Sequence, residues 1–280
     1  MLKTVGESVW AFDIEWVPDA VAGRNLYGLP QDMPEEKVWE VMWAEAGATD
    51  DNPRPFIKIA LSKIVSVAAV VRIFSGGSDD IHLLSFPMNP NADPPETEAS
   101  IIQRFLEGIG NRKPQLVGYN SFNSDIKILI QRGIAHGLSI PGFAKRPDKP
   151  WEGYDYAAKT SEGHIDLGQI VGGWGMAMPS LNEMAVISGI PGKLDMEGAD
   201  VAERYLRGEL AEIVSYNEFD ALTTYLLWLR TAHFGGFFND EKYEKEQGLV
   251  AKLLRSLVGE KPHLQTYLDA CKTRESSLSD

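Results

Sequence analysis

From Ser8 to Trp16 the chain alternates with a two-residue period. Phe12, Ile14 and Trp16 face one way and Asp13 and Glu15 the other, as on a β-strand. A polar excursion follows, punctuated by Pro18, Pro30, Pro34, Pro53 and Pro55, and reads as an insertion near 18–60. Within it, Glu35 to Ala48 has helical spacing, with Val38 over Met42 and Trp39 over Trp43. This insertion is expected near the mouth of a site. Ile64 to Ile73 is an almost unbroken run of β-branched residues and Ala, the mark of a buried strand. Ile81 to Phe86 reads as a third strand after the Ser75-Gly76-Gly77-Ser78 turn. Thr97 to Ile109 predicts a helix with Ile101, Ile102, Phe105, Leu106 and Ile109 inward, and Gly110 is expected to close it.

Gln115 to Tyr119 predicts another strand and Asp125 to His136 another helix, with Ile126, Leu129 and Ile130 facing the core. Ser180-Leu181-Asn182-Glu183 has the form of a capping box, opening a helix that stops near Gly189. Glu209 to His233 is the strongest helix signal, with Leu210, Ile213, Val214, Ala221 and Leu229 compatible with one buried face. Beyond Gly235-Gly236 the chain is charged. Residues 239–280 read as a helical appendage to a domain spanning 1–238, with Arg274 to Asp280 expected to fray. Strands first, then strand and helix in alternation, predict an α/β protein with a mixed central sheet flanked by helices. In such sheets ligands sit at strand ends.

Composition changes this picture little. Of the 280 residues, 44% are hydrophobic and 24% charged, ordinary for a globular protein. No apolar run reaches membrane-spanning length, so no membrane association is expected. Met1 to Glu7 shows no signal-peptide core, and the single cysteine, Cys271, excludes an intramolecular disulfide and a Cys-based zinc site. A cytoplasmic setting is the expectation. The net charge of −13 argues against a protein that wraps duplex DNA by charge alone. It leaves room for a nuclease whose metal ions hold the phosphate.

Carboxylates supply the candidate chemistry. Asp13 and Glu15 lie in Phe12-Asp13-Ile14-Glu15, Asp125 ends Asn120-Ser121-Phe122-Asn123-Ser124-Asp125, and Asp220 closes Tyr216-Asn217-Glu218-Phe219-Asp220. Each motif alone has a plainer reading: a strand-face salt bridge, a helix N-cap, a packed ring beside a surface acid. Acids within apolar runs are costly unless paired. Four of them in these positions suit two divalent cations about 4 Å apart.

These three motifs resemble those of the DEDD 3′–5′ exonucleases, which have the ribonuclease H-like fold. The nearest likeness is to stand-alone proteins similar to the proofreading domain of family B DNA polymerases. Tyr216 four residues before Asp220 matches the tyrosine subclass; the histidine subclass would carry His where Ser215 stands. The resemblance covers about Val9 to Leu229. It implies that Asp13, Glu15, Asp125 and Asp220 bind two Mg²⁺ or Mn²⁺ ions, with Asp13 bridging them. It further implies that Glu15 approaches the terminal 3′-hydroxyl, that Tyr216 orients the attacking water, and that Ile14, Trp16 and Asn120 contact substrate. Two departures are visible: Ser124 precedes Asp125 where an aromatic is usual, and Trp16 follows Glu15 where Thr is common.

The expected substrate is the 3′ end of single-stranded DNA or RNA, with DNA favoured, and the product a nucleoside 5′-monophosphate. The expected role is trimming ends alone or proofreading in trans with a polymerase, in DNA repair. The alternatives are an RNA-processing exoribonuclease of the same superfamily and a non-catalytic nucleic-acid-binding module. Phe122 and the Trp39–Trp43 pair are read as core packing. His164-Ile165-Asp166-Leu167 resembles a histidine–acid metal pair but is read as a structural turn. Lys145, Arg146 and Lys149 are as compatible with a solvated loop as with phosphate contacts.

Overall fold

The structure is a computed structural model that describes residues 1–149, 152–159, 161–173, 177–192, 194 and 198–277. Five strands form one sheet: β1 (Ser8–Pro18), β2 (Ser62–Ile73), β3 (Ile81–Phe86), β4 (Gln115–Gly118) and β5 (His164–Asp166). Their order is β3-β2-β1-β4-β5. β1 is antiparallel to β2, and β2 to β3, while β1, β4 and β5 run parallel. The sheet is therefore mixed, as expected. β1 is central because it is apolar on both faces: Val9 and Ala11 enter one core cluster, and Trp10, Phe12 and Ile14 enter another.

Eleven helices among the described residues surround the sheet. α1 (Ala20–Tyr27) and α2 (Glu35–Glu45) build the insertion, and Trp39, Val38 and Met42 are fully buried between them and the rest of the molecule. α1 was not expected; Asp19 caps it, accepting from the backbone N–H of Val21 (2.9 Å) and Ala22 (3.1 Å). α3 (Glu98–Arg112) and α4 (Asp125–Ala135) cover the face that carries Phe12 and Ile14. α3 runs past Gly110, contrary to expectation, and ends at Lys113 with φ 50°. Gly110 is instead a contact residue: a Cβ there would lie 2.9 Å from the backbone of Gly142 and Phe143 in α5 (Pro141–Ala144). β5 replaces the expected turn at 164–166 and leads into α6 (Leu167–Val171), which Asp166 caps. α7 (Leu181–Ile187) opens with the anticipated capping box of Ser180 and Glu183. α8 (Val201–Leu206) follows.

α9 (Leu210–Phe234) lies along the other face of the sheet. One buried stripe was expected; from Ala221 to Leu229 every residue is buried. The reason is a second layer. α10 (Asp240–Leu257) and α11 (Leu264–Ser277) cover α9 from outside, placing Tyr243, Val250, Leu254, Leu264 and Tyr267 in the same apolar cluster as Trp228 and Val9. A buried ion pair joins β2 to α10, Arg72 Nε to Glu246 Oε2 at 2.7 Å and Nη2 to Oε1 at 2.8 Å. Residues 278–280, part of the stretch expected to fray, lie outside the described residues; Arg274 to Ser277 are helical. No described helix is long and apolar enough to cross a membrane.

Candidate active site

β1 pairs with β4 only from Val9 to Ala11. Beyond Ala11 it continues against β2 alone, Asp13 opposite Ala68 and Glu15 opposite Ser66, with a bulge between Glu15 and Trp16. Asp13 and Glu15 thus stand past the end of β4, on the face that α9 covers. One oxygen from each of Asp13, Glu15 and Asp220 lies within 4.8 Å of the others, close enough for all three to contact one cation.

The loop after β4 brings in the fourth acid. Gly118 lets the chain double back, since a Cβ there would sit 2.3 Å from Ser121 Oγ. Asn120 adopts φ 56°. The Asp166 carboxylate fixes this turn by accepting from the backbone N–H of Asn120 (2.8 Å) and of Phe122 (3.0 Å). Ser121 Oγ and His164 Nε2 are 2.9 Å apart, and burial pushes the His164 imidazole down to about 4, so it is neutral at pH 7. Ser124 Oγ bridges the Asn120 carbonyl oxygen (2.9 Å) and the Asp125 carboxylate. Asp125 then opens α4 with its side chain facing Asp13.

α9 supplies the last group. Tyr216 and Asp220 share a face at i,i+4 spacing and are hydrogen-bonded to each other. Asn217 Nδ2 donates to Asp13 Oδ2 at 2.9 Å. The bond links the third motif to the first across 204 positions of sequence.

Burial and like charge dominate the electrostatics. Burial raises the Asp13 carboxyl well above the usual range, and Asp125, Glu15 and Asp220 push it further the same way. Burial lifts Asp125 to about 6, against hydrogen bonds from Ser124 and from the backbone N–H of Asp125 and Ile14. Tyr216 is raised above the ordinary phenol value, first by burial and then by Asp220, Glu15 and Asp13. The charges acting on Asp13 are all negative, which is the donor set and the electrostatic condition that divalent oxygen-liganded cations relieve. The residues present therefore fit such ions.

A sequence model described as "Predicted 3'-5' exonuclease related to the exonuclease domain of PolB" matches residues 54–271, well over half of the chain. The chain belongs to this exonuclease family. Membership implies nucleic acid as substrate and dependence on a divalent metal. The matched stretch holds Asp125, Tyr216 and Asp220, while Asp13 and Glu15 precede it and join them in space. No curated protein matches the chain. Among solved structures it is similar to the family B DNA polymerase of the hyperthermophilic archaeon Pyrobaculum calidifontis, at 17% identity and a TM-score of 0.49. That match covers 93% of this chain and 27% of the polymerase, so the chain spans about a quarter of that protein's length.

Other residues singled out in this exonuclease have the following surroundings. Ile14 is buried in the core, so only its backbone is available to a ligand, and its N–H already faces Asp125. Trp16 is partly buried against the α3 side of the sheet. Asn120 is half-buried in the loop, its backbone held by Asp166. Phe122 stacks on His164 with Lys127 Nζ 4.7 Å from its ring centroid, a packed position. Trp39 stacks on Tyr205 and meets Trp43 edge-on, also packing. Arg146 faces Asp155 and Lys149 faces Glu152. Sequence reasoning missed Asn217 and Asp166 as supports of the site. Asn217 had a usable signal: it is an amide on the same helical turn as Tyr216 and Asp220.

Proposed function

We propose that this exonuclease removes nucleotides singly from the 3′ end of single-stranded nucleic acid, DNA in preference to RNA. Asp13, Glu15, Asp125 and Asp220 would hold two Mg²⁺ or Mn²⁺ ions. The reading is carried by the convergence of acids from β1, α4 and α9 around Asp13, a half-buried carboxylate beside three others. When bound, the cations would neutralise these charges and supply Lewis-acid assistance to phosphodiester hydrolysis. Asn217 keeps one Asp13 oxygen occupied and so fixes the direction of the other. Tyr216, raised far from neutrality, keeps its proton and acts as a hydrogen-bonding group that orients the attacking water rather than as a base. Glu15 would meet the terminal 3′-hydroxyl, with Trp16 and Asn120 beside it contacting substrate. Trimming alone or proofreading in trans with a polymerase, in the cytoplasm, completes the reading.

End-labelled oligonucleotides test it. Matched DNA and RNA strands, free or 3′-phosphorylated, are digested in EDTA, Mg²⁺ or Mn²⁺. The expected result is metal-dependent release of 5′-mononucleotides from free 3′ ends, faster on DNA, with the 3′-phosphate blocking. Full activity in thorough chelation, internal cuts or digestion from the 5′ end would overturn it. Faster digestion of RNA would instead favour the exoribonuclease.

A further inference from the structure

The segment of α9 between Tyr216 and Asp220 has two faces, and the one turned away from the acids is held with unusual completeness. Glu218 is fully buried. Lys261 Nζ donates to its Oε1, and His263 Nε2 lies 2.7 Å from its Oε2. Lys261 Nζ also reaches Ser85 Oγ on β3 at 3.1 Å. Phe219 packs against His263 (ring centroids 5.6 Å) and stacks on Tyr267 (5.5 Å). One turn on, Thr223 Oγ1 is 2.9 Å from the Tyr267 hydroxyl. Lys261 and His263 lie in the connection between α10 and α11, and Tyr267 lies on α11.

We infer that the α10–α11 connection is a positioning device for the catalytic turn of α9, with Lys261 and His263 as positioning residues acting through Glu218. This rests on the proposed roles of Tyr216 and Asp220. A buried carboxylate is tolerated only while its partners stay in place. Rotating α9 by one residue is about 100°, and sliding it by one residue is about 1.5 Å; either movement tears Glu218 from both Lys261 and His263. Metal-binding and catalytic groups must be held within about 0.5 Å. Asn217 fixes the inner face of this turn to Asp13, and Glu218 fixes its outer face to the C-terminal helices. Pinned on both sides, the turn presents Tyr216 and Asp220 in a single register.

The test uses the full chain with Lys261→Met and His263→Gln combined, and Lys261→Arg as the conservative control. Hydrogen–deuterium exchange is read along α9 without metal, and Mn²⁺ affinity is titrated separately. The double variant is expected to exchange at least about tenfold faster at 214–222 with 224–232 unchanged, and to bind Mn²⁺ about tenfold or more weakly. Lys261→Arg is expected to retain both properties. A folded double variant with unchanged exchange at 214–222 overturns the inference, as does exchange that rises evenly along α9, the mark of a general stabilising contact. If the wild-type protein binds no Mn²⁺, the metal reading of the site fails, and the local exchange pattern alone decides whether the turn is clamped. If the double variant does not fold, His263→Gln alone is read by the same criteria.

Discussion

Two clusters of acids among the described residues differ in their partners. Asp19 and Glu98 share Arg132, whose Nη2 is 2.7 Å from Asp19 Oδ2 and 2.6 Å from Glu98 Oε2. Glu98 also accepts from Arg132 Nε (2.8 Å) and from the Ile64 backbone N–H (2.7 Å), and His136 Nε2 lies 2.7 Å from its Oε2. This group is saturated by its own neighbours. It ties α1, β2, α3 and α4 together. Around Asp13 the arrangement is the reverse: its partner is the neutral amide of Asn217, and its charged neighbours are Asp125, Glu15 and Asp220. The first group has the pattern of a structural brace. In the proposed reading, the second is a site whose charge is balanced by divalent cations.

Removing one acid from the second cluster and the shared base from the first is the strongest way to break that contrast. Asp220→Ala is expected to lower single-turnover cleavage by about 10³-fold or more, while stabilising the metal-free protein by about 1 kcal/mol because it relieves repulsion. Thermal melts with and without Mn²⁺, run beside the cleavage assay, check both halves. Arg132→Met should behave oppositely. It strands Glu98 and Asp19 in the interior and should cost about 3–5 kcal/mol, with Mn²⁺ affinity unchanged below the melting transition. A stable Arg132→Met protein would remove the distinction between brace and site.

A pH experiment sharpens it. Burial holds His164 at about 4 in the folded protein against an ordinary value near 6.5. Below about 6.5 the unfolded chain takes up a proton that the folded chain refuses until about 4. The contribution is therefore complete above pH 6.5 and lost as pH falls towards 4, by about 3 kcal/mol in all. Denaturant unfolding of wild type and His164→Gln at pH 7, 5.5 and 4 should show this loss in the wild type alone. The smallest expected effect is that of Tyr216→Phe. Mn²⁺ binding should survive, and kcat should fall by about 10²-fold if the hydroxyl contributes like one transition-state hydrogen bond. An unchanged kcat would make the ring a packing element.

Much of this was legible in the sequence, for identifiable reasons. The strand period placed Asp13 and Glu15 on one face, and the i,i+4 rule placed Tyr216 over Asp220; both are local rules that need no tertiary knowledge. What escaped notice is what depends on distant partners. The Asn217–Asp13 bond spans 204 positions, and Asp166 reaches the Asn120 loop across 46. Gly110 was expected to end a helix; its use is the close approach of α5, which no local pattern announces. The all-round burial of α9 was written in Ala221-Leu222-Thr223-Thr224-Tyr225-Leu226-Leu227-Trp228-Leu229, apolar on every side. A one-sided template passes over that signal. Asp19, just before α1, carried a cap signal hidden by its proline-rich surroundings.

In the proposed reading, metal completes the Asp13 group, while the Asp19–Glu98 group is completed by Arg132. Crystals grown with Mn²⁺ and measured for anomalous scattering at the manganese edge test it most directly. The account predicts two adjacent peaks about 4 Å apart, both in contact with Asp13, and none at Asp19 or Glu98. Manganese absent from Asp13 in crystals that hold it elsewhere would contradict it.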